Sequence, residues 1–343
     1  MNFYKIYART GMISLLMLLT IAFSSCERKV RYEQSTGKTN EILVVTNNKT
    51  QWNGELGRVV KDFFGQPLPG LPQPEPMFRL FNIADENMNK IFRSQHNILI
   101  IDINPGFSEP LVETRTDHWA RPQRLIKITA PDLASFKESF EQHKTAFLKA
   151  FNELEIKRTN QQFKMARSVK LTNIIKKKFG FDIQLPGGFV IGSEDDQFIW
   201  LRQSMHKVKQ DVELGIMIYE APYTDTSVFS PEYILDLRDS LTRKHIPGPS
   251  EGSYMITSRD YIPAVFNRQD DFVSGFAVET RGLWMVKNDF MGGPFISFTF
   301  TDPGLERVIT VDGYVYNPGD LKRNFIRQME AIFYTISFGG NGD

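Results

Sequence analysis

Residues 113–123 (ETRTDHWARPQ) carry the densest set of side chains that could do chemistry. Asp117 lies beside His118, so a carboxylate could orient an imidazole for acid–base catalysis. Trp119 and Arg121 could stack on a ligand or bind it through the guanidinium fork. Neighbouring residues on a strand face opposite sides, so Asp117 and His118 would cooperate only in a loop. The segment predicts a ligand- or partner-binding loop that comprises Asp117, His118, Trp119, Arg121 and Gln123.

Two alternatives remain for this loop. Trp119 could fill the core while Arg121 pairs with a local acid, which would make the loop structural. An envelope hydrolase would instead use residues 117–123 together with Asp102, which ends a predicted strand.

Motifs for other chemistry are missing from the sequence. The histidines are far apart and form no HxH or HExxH pattern; they are His96, His118, His143, His206 and His245. No GxSxG, Walker A or GxGxxG motif occurs. Ser204 and Lys207 fit the SxxK pattern of penicillin-binding enzymes, but its companion motifs are absent, so chance explains the match better. The sequence therefore predicts no catalytic residue, no cofactor and no metal.

The only cysteine, Cys26, ends an N-terminal signal pattern. Two cations precede an apolar run over residues 12–23, which as a helix covers about 18 Å and is too short for the ~30 Å hydrocarbon core. Residues 23–26 (FSSC) resemble a bacterial lipobox. This resemblance predicts a signal peptide over residues 1–25 and acylation of Cys26, with palmitate as a typical chain. A plain secretory signal with an incidental cysteine is the alternative.

Charge and cysteine content exclude several classes of protein. Lys and Arg total 41 against 40 Asp and Glu, so the chain lacks the basic character of a dedicated nucleic-acid binder. One cysteine cannot build a disulfide framework or an iron–sulfur cluster. Loss of residues 1–25, which contain two cations and no acid, changes the formal net charge from +1 to −1. We therefore predict no nucleic-acid partner.

Residues 26–40 are polar and predict a flexible tether with a reach of roughly 20 Å. The tether would keep the folded part near its membrane. Acidic stretches at this place mark some surface-exported lipoproteins, whereas Arg28, Lys29 and Arg31 are basic. This favours a lipid-anchored protein of the bacterial envelope that faces the periplasm rather than the cell surface.

Residues 157–178 contain eight cations and no anion. Phe163, Val169 and Ile174 offer an apolar edge, so the segment predicts a basic amphipathic helix that faces anionic lipid. A solvated helix face, whose last lysines complement the helix dipole, is the alternative. The candidate membrane-facing cations are Lys157, Arg158, Lys164, Arg167, Lys170, Lys176, Lys177 and Lys178.

Residues 65–76 (GQPLPGLPQPEP) hold five prolines in twelve positions. Such a segment favours polyproline II, which a protein partner can recognise at low entropic cost. A rigid surface loop is the alternative.

Strand and helix patterns alternate over residues 41–157. Apolar runs predict strands at 41–46, 77–83, 97–103 and 124–129, and a short helix over 85–93 capped by Asp85. Asp132 caps a longer helix with one apolar stripe, which comprises Leu133, Phe136, Phe140, Phe147, Phe151 and Leu154. We expect a smaller N-terminal α/β domain of about four strands.

Residues 158–343 show a different order of strands, helix, strands and helix. A helix over 160–179 ends at Gly180, and its join to the preceding helix at 155–159 is the expected domain boundary. One long helix through this join is the alternative. Ser230 and Pro231 start a further helix, and Asn317 with Pro318 caps the last one. The order predicts a mostly antiparallel sheet flanked by helices, so the whole chain is an α+β protein of the α/β sandwich type with two domains. The element order resembles PsbP-type sandwiches.

Two motifs carry a resemblance to a family. They are residues 119–123 (WARPQ) before a strand and residues 311–318 (VDGYVYNP) before Lys322 and Arg323. With them the chain resembles the uncharacterised Bacteroidota lipoproteins of domain-of-unknown-function family 4837 (DUF4837) over nearly its whole mature length. The resemblance implies no activity.

An anchor, compact domains and no coherent catalytic motif predict a non-catalytic binding or assembly accessory of the cell envelope. The expected partners are the membrane, through the lipid anchor, and either anionic lipid or an envelope protein. A pocket between the two domains is the feature expected to distinguish a binding site from a scaffold.

Overall fold

The computed structural model describes residues 32–206, 211–273, 275–304 and 306–339. The predicted signal peptide (1–25), Cys26 and the start of the predicted tether lie outside the described residues, as does Lys207. The described residues from Gln34 onward belong to one compact unit. The chain is an α+β protein with two domains.

The N-terminal domain is built from a sheet with helices on its faces. Its strands are β1 (Glu33–Gln34), β2 (Glu41–Thr46), β3 (Arg79–Ala84), β4 (Asn97–Ile103), β5 (Leu111–Thr116), β6 (Ala120–Arg121) and β7 (Arg124–Ala130). Its helices are α1 (Lys49–Asn53), α2 (Glu55–Phe64), α3 (Lys90–Arg93) and α4 (Leu133–Lys164). The main sheet has the order β3-β2-β4-β7-β5, in which only β5 is antiparallel to its neighbour. β2 and β4 are buried along most of their length, as parallel strands covered on both faces should be.

Two predictions for this domain differ from the structure. The sheet has a fifth strand, β5, which the sequence concealed because this edge strand is mostly exposed and lacks an apolar run. Asp85 does not cap a helix: residues Asp85–Asn87 form a 3₁₀ turn, and Asn89 caps α3 by accepting from the amides of Ile91 and Phe92. The Asn89 side chain therefore satisfies the exposed helix amides that Asp85 was expected to satisfy.

Helix α4 is one continuous helix of 32 residues. The carboxylate of Asp132 accepts from the Ser135 amide at 2.8 Å, which confirms the predicted N-cap. The predicted break at residues 155–159 is wrong, because that stretch contains no Gly or Pro, and Leu154 and Glu155 are buried. The helix ends at Lys164, and the next begins at Val169.

The C-terminal domain is a large antiparallel sheet with helices on both faces. Its strands are β8 (Phe181–Asp182), β9 (Val190–Asp195), β10 (Phe198–His206), β11 (Asp211–Pro222), β12 (Tyr254–Ser258), β13 (Val265–Phe272), β14 (Gly275–Lys287), β15 (Gly292–Thr301), β16 (Arg307–Tyr316) and β17 (Ser337–Phe338). Its helices are α5 (Val169–Phe179), α6 (Pro231–His245) and α7 (Arg323–Phe333). The sheet order is β12-β14-β15-β16-β11-β10-β9, and β13 also pairs with β14. Gly180 ends α5 with φ +83°, and Ser230 caps α6, both as predicted.

The two domains share one apolar core. Phe64 and Phe151 of the N-terminal domain belong to the same buried cluster as Val311 and Met329 of the C-terminal domain. The opposite face of the large sheet forms a separate cluster under α6. Because the shared cluster is fully buried, the surface where the domains meet is held by hydrophobic packing.

The motif over residues 311–316 is used for packing. The Asp312 carboxylate is buried and accepts from Arg238 Nε of α6 at 2.9 Å. A Cβ at Gly313 would come within 2.8 Å of the Met329 side chain, so this glycine lets α7 approach the sheet. The Tyr314 ring covers Gly215, where a Cβ would meet it at 2.0 Å. The residues that carried the family resemblance are therefore packing residues on both faces of β16.

The proline-rich loop 65–76 brings an acid to the start of the last helix. Glu75 is 3% exposed, and its carboxylate accepts from the amides of Lys322 at 2.7 Å and Arg323 at 3.1 Å. A negative charge at this end of α7 satisfies free N–H groups and complements the helix dipole. The predicted cap at Asn317 is wrong, because α7 begins only at Arg323. The side-chain nitrogen of Asn317, Nδ2, donates to the Leu321 carbonyl instead.

The last residues of the predicted tether are packed against the N-terminal domain. Thr36 donates its amide to the Ser94 carbonyl at 2.8 Å, and its own carbonyl accepts from the amide of His96. Asn40 is fully buried and donates its amide to Glu155 at 3.1 Å. The prediction of a free tether up to residue 40 is therefore wrong over residues 35–40, because these backbone groups are hydrogen-bonded to the fold.

Candidate functional site

A cavity of about 730 Å³ lies where the two domains meet. The N-terminal domain contributes an apolar patch, namely Leu68 and Pro69 of the proline-rich loop, Met77, and Leu148 and Ile156 of α4. It also contributes five polar residues of α4, namely Thr145, Lys149, Asn152, Glu153 and Lys157. The polar wall opposite comes from β13, β14 and α7 of the C-terminal domain. Pockets of this size at domain junctions, with apolar side chains and a few convergent polar groups, are typical ligand sites.

Four buried charged groups form the polar wall, which we call the Arg281 network. It comprises Glu279, Arg281, Arg327 and Glu330. Arg281 donates from Nε to Glu279 at 2.6 Å and from Nη2 to Glu330 at 3.0 Å. Arg327 donates from Nη1 to the other oxygen of Glu330 at 3.0 Å. All four side chains are at most 10% exposed.

Arg281 and Glu330 of this network are held in their charged forms. Burial by itself would lower the pKa of Arg281, but the charges of Glu279 and Glu330 raise it above its usual value. Burial would by itself raise the pKa of Glu330, but Arg327 and Arg281 lower it. The Arg281 guanidinium therefore keeps its proton, so it suits the binding of a charged or polar ligand better than proton transfer.

Two donors of this network lack an acceptor. Among the described residues, no group accepts a hydrogen bond from Arg281 Nη1 or from Arg327 Nε, and both atoms are buried. A buried N–H without an acceptor costs about 1–3 kcal/mol. A ligand that brings a carboxylate or another strong acceptor would offset this cost.

The sequence did not identify this site. Glu279 and Arg281 interrupt an otherwise apolar strand, and Glu330 interrupts the apolar stripe of the last helix. Charged residues at core positions of two elements are a signal that they pair with each other. Lys157 is the one member of the predicted basic set that lines the cavity.

The predicted loop 113–123 is part strand and part turn. Its first residues belong to β5, and Asp117 has the positive φ of +54° in the turn that follows. One Asp117 oxygen accepts from Arg121 Nε at 2.7 Å and the other from the Gln123 amide at 2.9 Å. The alternative in which Arg121 pairs with a local acid is therefore the arrangement in the structure.

Gln123 is fully buried and ties this turn to the neighbouring chain. Its side-chain oxygen accepts from the backbone amide of Trp119 at 2.8 Å. Its side-chain nitrogen, Nε2, donates to the carbonyls of Arg93 and Gln95 at 2.7 Å each. Both polar atoms of the Gln123 side chain therefore bond groups within the fold.

His118 and Trp119 line a separate surface pocket of about 410 Å³ with Glu113, Arg115 and Lys127. The two rings lie 4.7 Å apart, and Trp119 also packs against the small core on this face of the sheet. Burial and then the charge of Arg115 lower the pKa of His118. The Asp117 oxygens bond Arg121 and Gln123, and Asp102 bonds Asn47 and Lys127. Within the described residues neither carboxylate is hydrogen-bonded to His118, so neither orients the imidazole as the hydrolase alternative requires.

Two features are absent from the described residues, a cluster of metal ligands and a membrane-spanning helix. In that part of the chain no three His, Cys, Asp or Glu side chains cluster as metal ligands would. Over the same ranges no helix combines the length and the apolar character needed to cross a bilayer.

The chain matches two family models. Residues 35–164 match a domain of unknown function, DUF8532, and residues 168–335 match another, DUF4837. The expectation that the second family would cover nearly the whole mature chain is wrong, since residues 119–123 fall in the first match. No curated protein matches this chain.

The chain is also distantly similar to two solved structures. The Ran-binding protein Mog1p of Saccharomyces cerevisiae is 10% identical, with 46% of this chain and 90% of that protein covered and a TM-score of 0.30. LpqN of Mycobacterium tuberculosis, described as involved in cell envelope biogenesis, is 12% identical, with 46% and 82% covered and a TM-score of 0.27.

The α4–α5 turn separates the two matched regions, and each region has its own main sheet. Residues 168–335 of this chain thus match the DUF4837 family model, and residues 35–164 before them match the DUF8532 model.

Proposed function

We propose that this protein is a lipid-anchored, periplasm-facing accessory of the bacterial cell envelope that binds a small amphiphilic molecule carrying a carboxylate. The binding site is the cavity between the domains. The observation that carries the proposal is the unpartnered, buried Nη1 of Arg281, a residue that lines a cavity with an apolar patch on its N-terminal side.

The two walls suit the two ends of such a ligand. An alkyl chain would lie against Met77, Leu148 and Ile156, where each buried CH₂ contributes about 0.8 kcal/mol. The carboxylate would accept from Arg281 and Arg327, and charge-assisted hydrogen bonds of this kind are the strong ones. Glu279 and Glu330 already neutralise the two arginines, so the ligand gains hydrogen bonds rather than net charge attraction.

Octanoate is a suitable probe for the cavity. We expect it to bind at least about tenfold more tightly than octylammonium, which has the same chain and the opposite charge, because only octanoate offers an acceptor. Leu148→Trp, at a partly buried position on the wall, should weaken octanoate binding about tenfold by filling the cavity. Isothermal titration calorimetry measures both effects.

A matched control keeps this test specific. Ile91 is 72% exposed on α3 and does not line the cavity, so Ile91→Trp should leave octanoate binding unchanged. Equal affinity for the two ions, or an unaltered affinity in Leu148→Trp, would contradict the proposal.

The anchor is the second part of the proposal and rests on the lipobox-like FSSC at residues 23–26. Cells that express the full chain and are fed radiolabelled palmitate should incorporate label into this protein, and Cys26→Ser should abolish the incorporation. An unmodified thiol in intact mature protein by mass spectrometry would exclude the anchor but leave the cavity proposal standing.

A further inference from the structure

The eight cations of residues 157–178 differ in whether they have a partner within the fold. Arg158 lies 3.4 Å from Glu155, Lys176 pairs with Asp182 at 2.7 Å, and Lys178 donates to the Asp195 carbonyl. These three are bound within the fold. The eight therefore do not form a single membrane-facing helix side.

Three of the remaining cations surround the turn between α4 and α5, which we call the α4–α5 tip. Lys164, Arg167 and Lys170 are all exposed, and among the described residues none has an ion-pair partner. No Asp or Glu occurs between Glu155 and Asp182, so no local acid opposes them along the chain.

Two apolar side chains stand between these cations. Met165 is 93% exposed and Val169 is 59% exposed, which makes Met165 one of the most exposed large apolar residues of the described chain. The flanking residues anchor the tip, since Leu171 is buried and Phe163 packs against the main core. The exposure of Met165 and Val169 is thus a feature of a fixed turn.

Backbone hydrogen bonds fix the tip on the C-terminal domain. The Ser168 amide donates to the Leu185 carbonyl at 2.8 Å, and the Gly187 amide donates to the Ala166 carbonyl at 2.6 Å. Residues 183–193, which contain these contacts, are also free of acidic residues. A turn fixed by such backbone hydrogen bonds can contact a headgroup layer without losing its own backbone order.

We propose that the α4–α5 tip is a membrane-contact site that binds an anionic lipid surface, with Met165 and Val169 entering the interface and the three cations contacting lipid phosphates. Apolar side chains flanked by cations are the combination that anionic interfaces bind, through buried apolar area and charge attraction together. The proposal needs neither the lipid anchor nor the cavity ligand, so it can fail while they hold.

The test uses residues 27–343, which contain every described residue and lack the predicted acylation site. We expect this protein to float with vesicles of phosphatidylglycerol and phosphatidylcholine at low salt, and to stay unbound with phosphatidylcholine alone. Binding should fall steeply with added salt. Absence of binding to the anionic vesicles, or equal binding to both compositions, overturns the proposal.

Two sets of variants locate the contact. Replacing Lys164, Arg167 and Lys170 together by glutamine should lower the partition coefficient about 100-fold, since each cation contributes about a fivefold factor. The same change at Lys49, Arg58 and Lys287, which are equally exposed cations elsewhere, should alter it less than twofold. Equal losses in the two triple variants would show non-specific charge attraction and contradict a site at the tip.

The apolar contribution is measured separately. Met165→Ser with Val169→Ser should lower the partition coefficient about tenfold. Ile91→Ser with Tyr261→Ser removes two other strongly exposed apolar side chains and should have no effect. All four positions are exposed, so the thermal unfolding midpoint should be unchanged in both double variants. Vesicle binding that survives the loss of Met165 and Val169 would refute insertion.

Discussion

The Arg238→Met variant is expected to have a free energy of unfolding about 3–5 kcal/mol lower than that of the parent protein. Arg238 and Asp312 are both fully buried, and the guanidinium bonds Asp312 at 2.9 Å and Thr257 at 3.1 Å. It also lies 4.0 Å from the centre of the Phe295 ring. Methionine keeps much of the volume but leaves the Asp312 carboxylate buried without a counter-charge. Urea unfolding at pH 7 measures the loss.

The loss should depend on pH in a defined direction. Burial raises the pKa of Asp312, and Arg238 counteracts the rise. Without Arg238 the folded-state pKa rises further above the unfolded value of about 3.9. A carboxyl group whose folded-state pKa is raised stabilises the fold below its unfolded-state pKa, and this stabilisation is lost as the pH rises through the folded-state pKa. The stability deficit of the variant should therefore be smaller at pH 4 than at pH 7.

Two further variants isolate the pair. Arg238→Met with Asp312→Leu removes both charges and should recover at least about half of the lost stability, since it is the single uncompensated charge that is costly. Arg259 forms the comparable exposed pairs with Asp236 and Asp239, and Arg259→Met should cost less than about 1 kcal/mol. A loss below about 1 kcal/mol in Arg238→Met would show that the buried pair is not needed for stability.

Glu155→Gln is expected to lower the free energy of unfolding at pH 7 by about 2–4 kcal/mol. Glu155 is 5% exposed, and its carboxylate lies 2.8 Å from His96 Nε2 and accepts from Asn97 Nδ2 at 2.7 Å. His96 Nδ1 lies 2.6 Å from the carbonyl of Thr36. The carboxylate therefore links α4 to β4 and to the residues that precede β2, and glutamine cannot accept from all of these donors.

The stability deficit of Glu155→Gln should also shrink as the pH falls, although the folded-state pKa of Glu155 is lowered whereas that of Asp312 is raised. Burial alone would raise the pKa of Glu155, but His96, then Arg158 and the Asn40 amide, lower it. A lowered pKa contributes stability above the unfolded value of about 4.3, and that stability is lost as the pH falls through the folded value. The stability difference between the parent and the variant should therefore shrink as the pH falls below about 4.3.

Hydrogen exchange provides a local readout of this link. The amide of Asn40 donates to Glu155, so it should exchange at least about tenfold faster in Glu155→Gln. Glu153→Gln is the matched control, because Glu153 is exposed and only two residues away on α4. Equal differences in stability at pH 7 and pH 4, or an unchanged Asn40 amide, would contradict the assigned role.

Local features of the fold were predictable because they depend on neighbouring residues. The stripe Phe136, Phe140, Phe147 and Phe151 predicted the buried face of α4, and all four rings are buried. Capping by Asp132 and Ser230 was also predicted, since an acceptor side chain before a helix contacts amides three residues away. The cap of α7 was not, because Glu75 lies 247 residues before Lys322.

The family motifs and the candidate site also show the difference between what composition indicates and what tertiary contacts decide. Residues 311–318 pointed to the DUF4837 family before the structure showed that Asp312, Gly313 and Tyr314 are packing residues. The composition of the loop around His118 predicted a binding site, yet Asp117 and Gln123 bond each other and stabilise the turn. Composition indicates which groups are present, whereas their hydrogen bonds decide which remain available to a ligand.

The amino-acid sequence by itself determined the α+β class and the positions at which helices α4 and α6 begin. These depend on hydrophobic periodicity and capping, which act over a few residues. Only the tertiary structure decided which charges are buried together, because Arg281 meets Glu330 across 49 residues and Arg238 meets Asp312 across 74. Burial where the two domains meet, rather than any local pattern, makes the Arg281 network part of a candidate binding site.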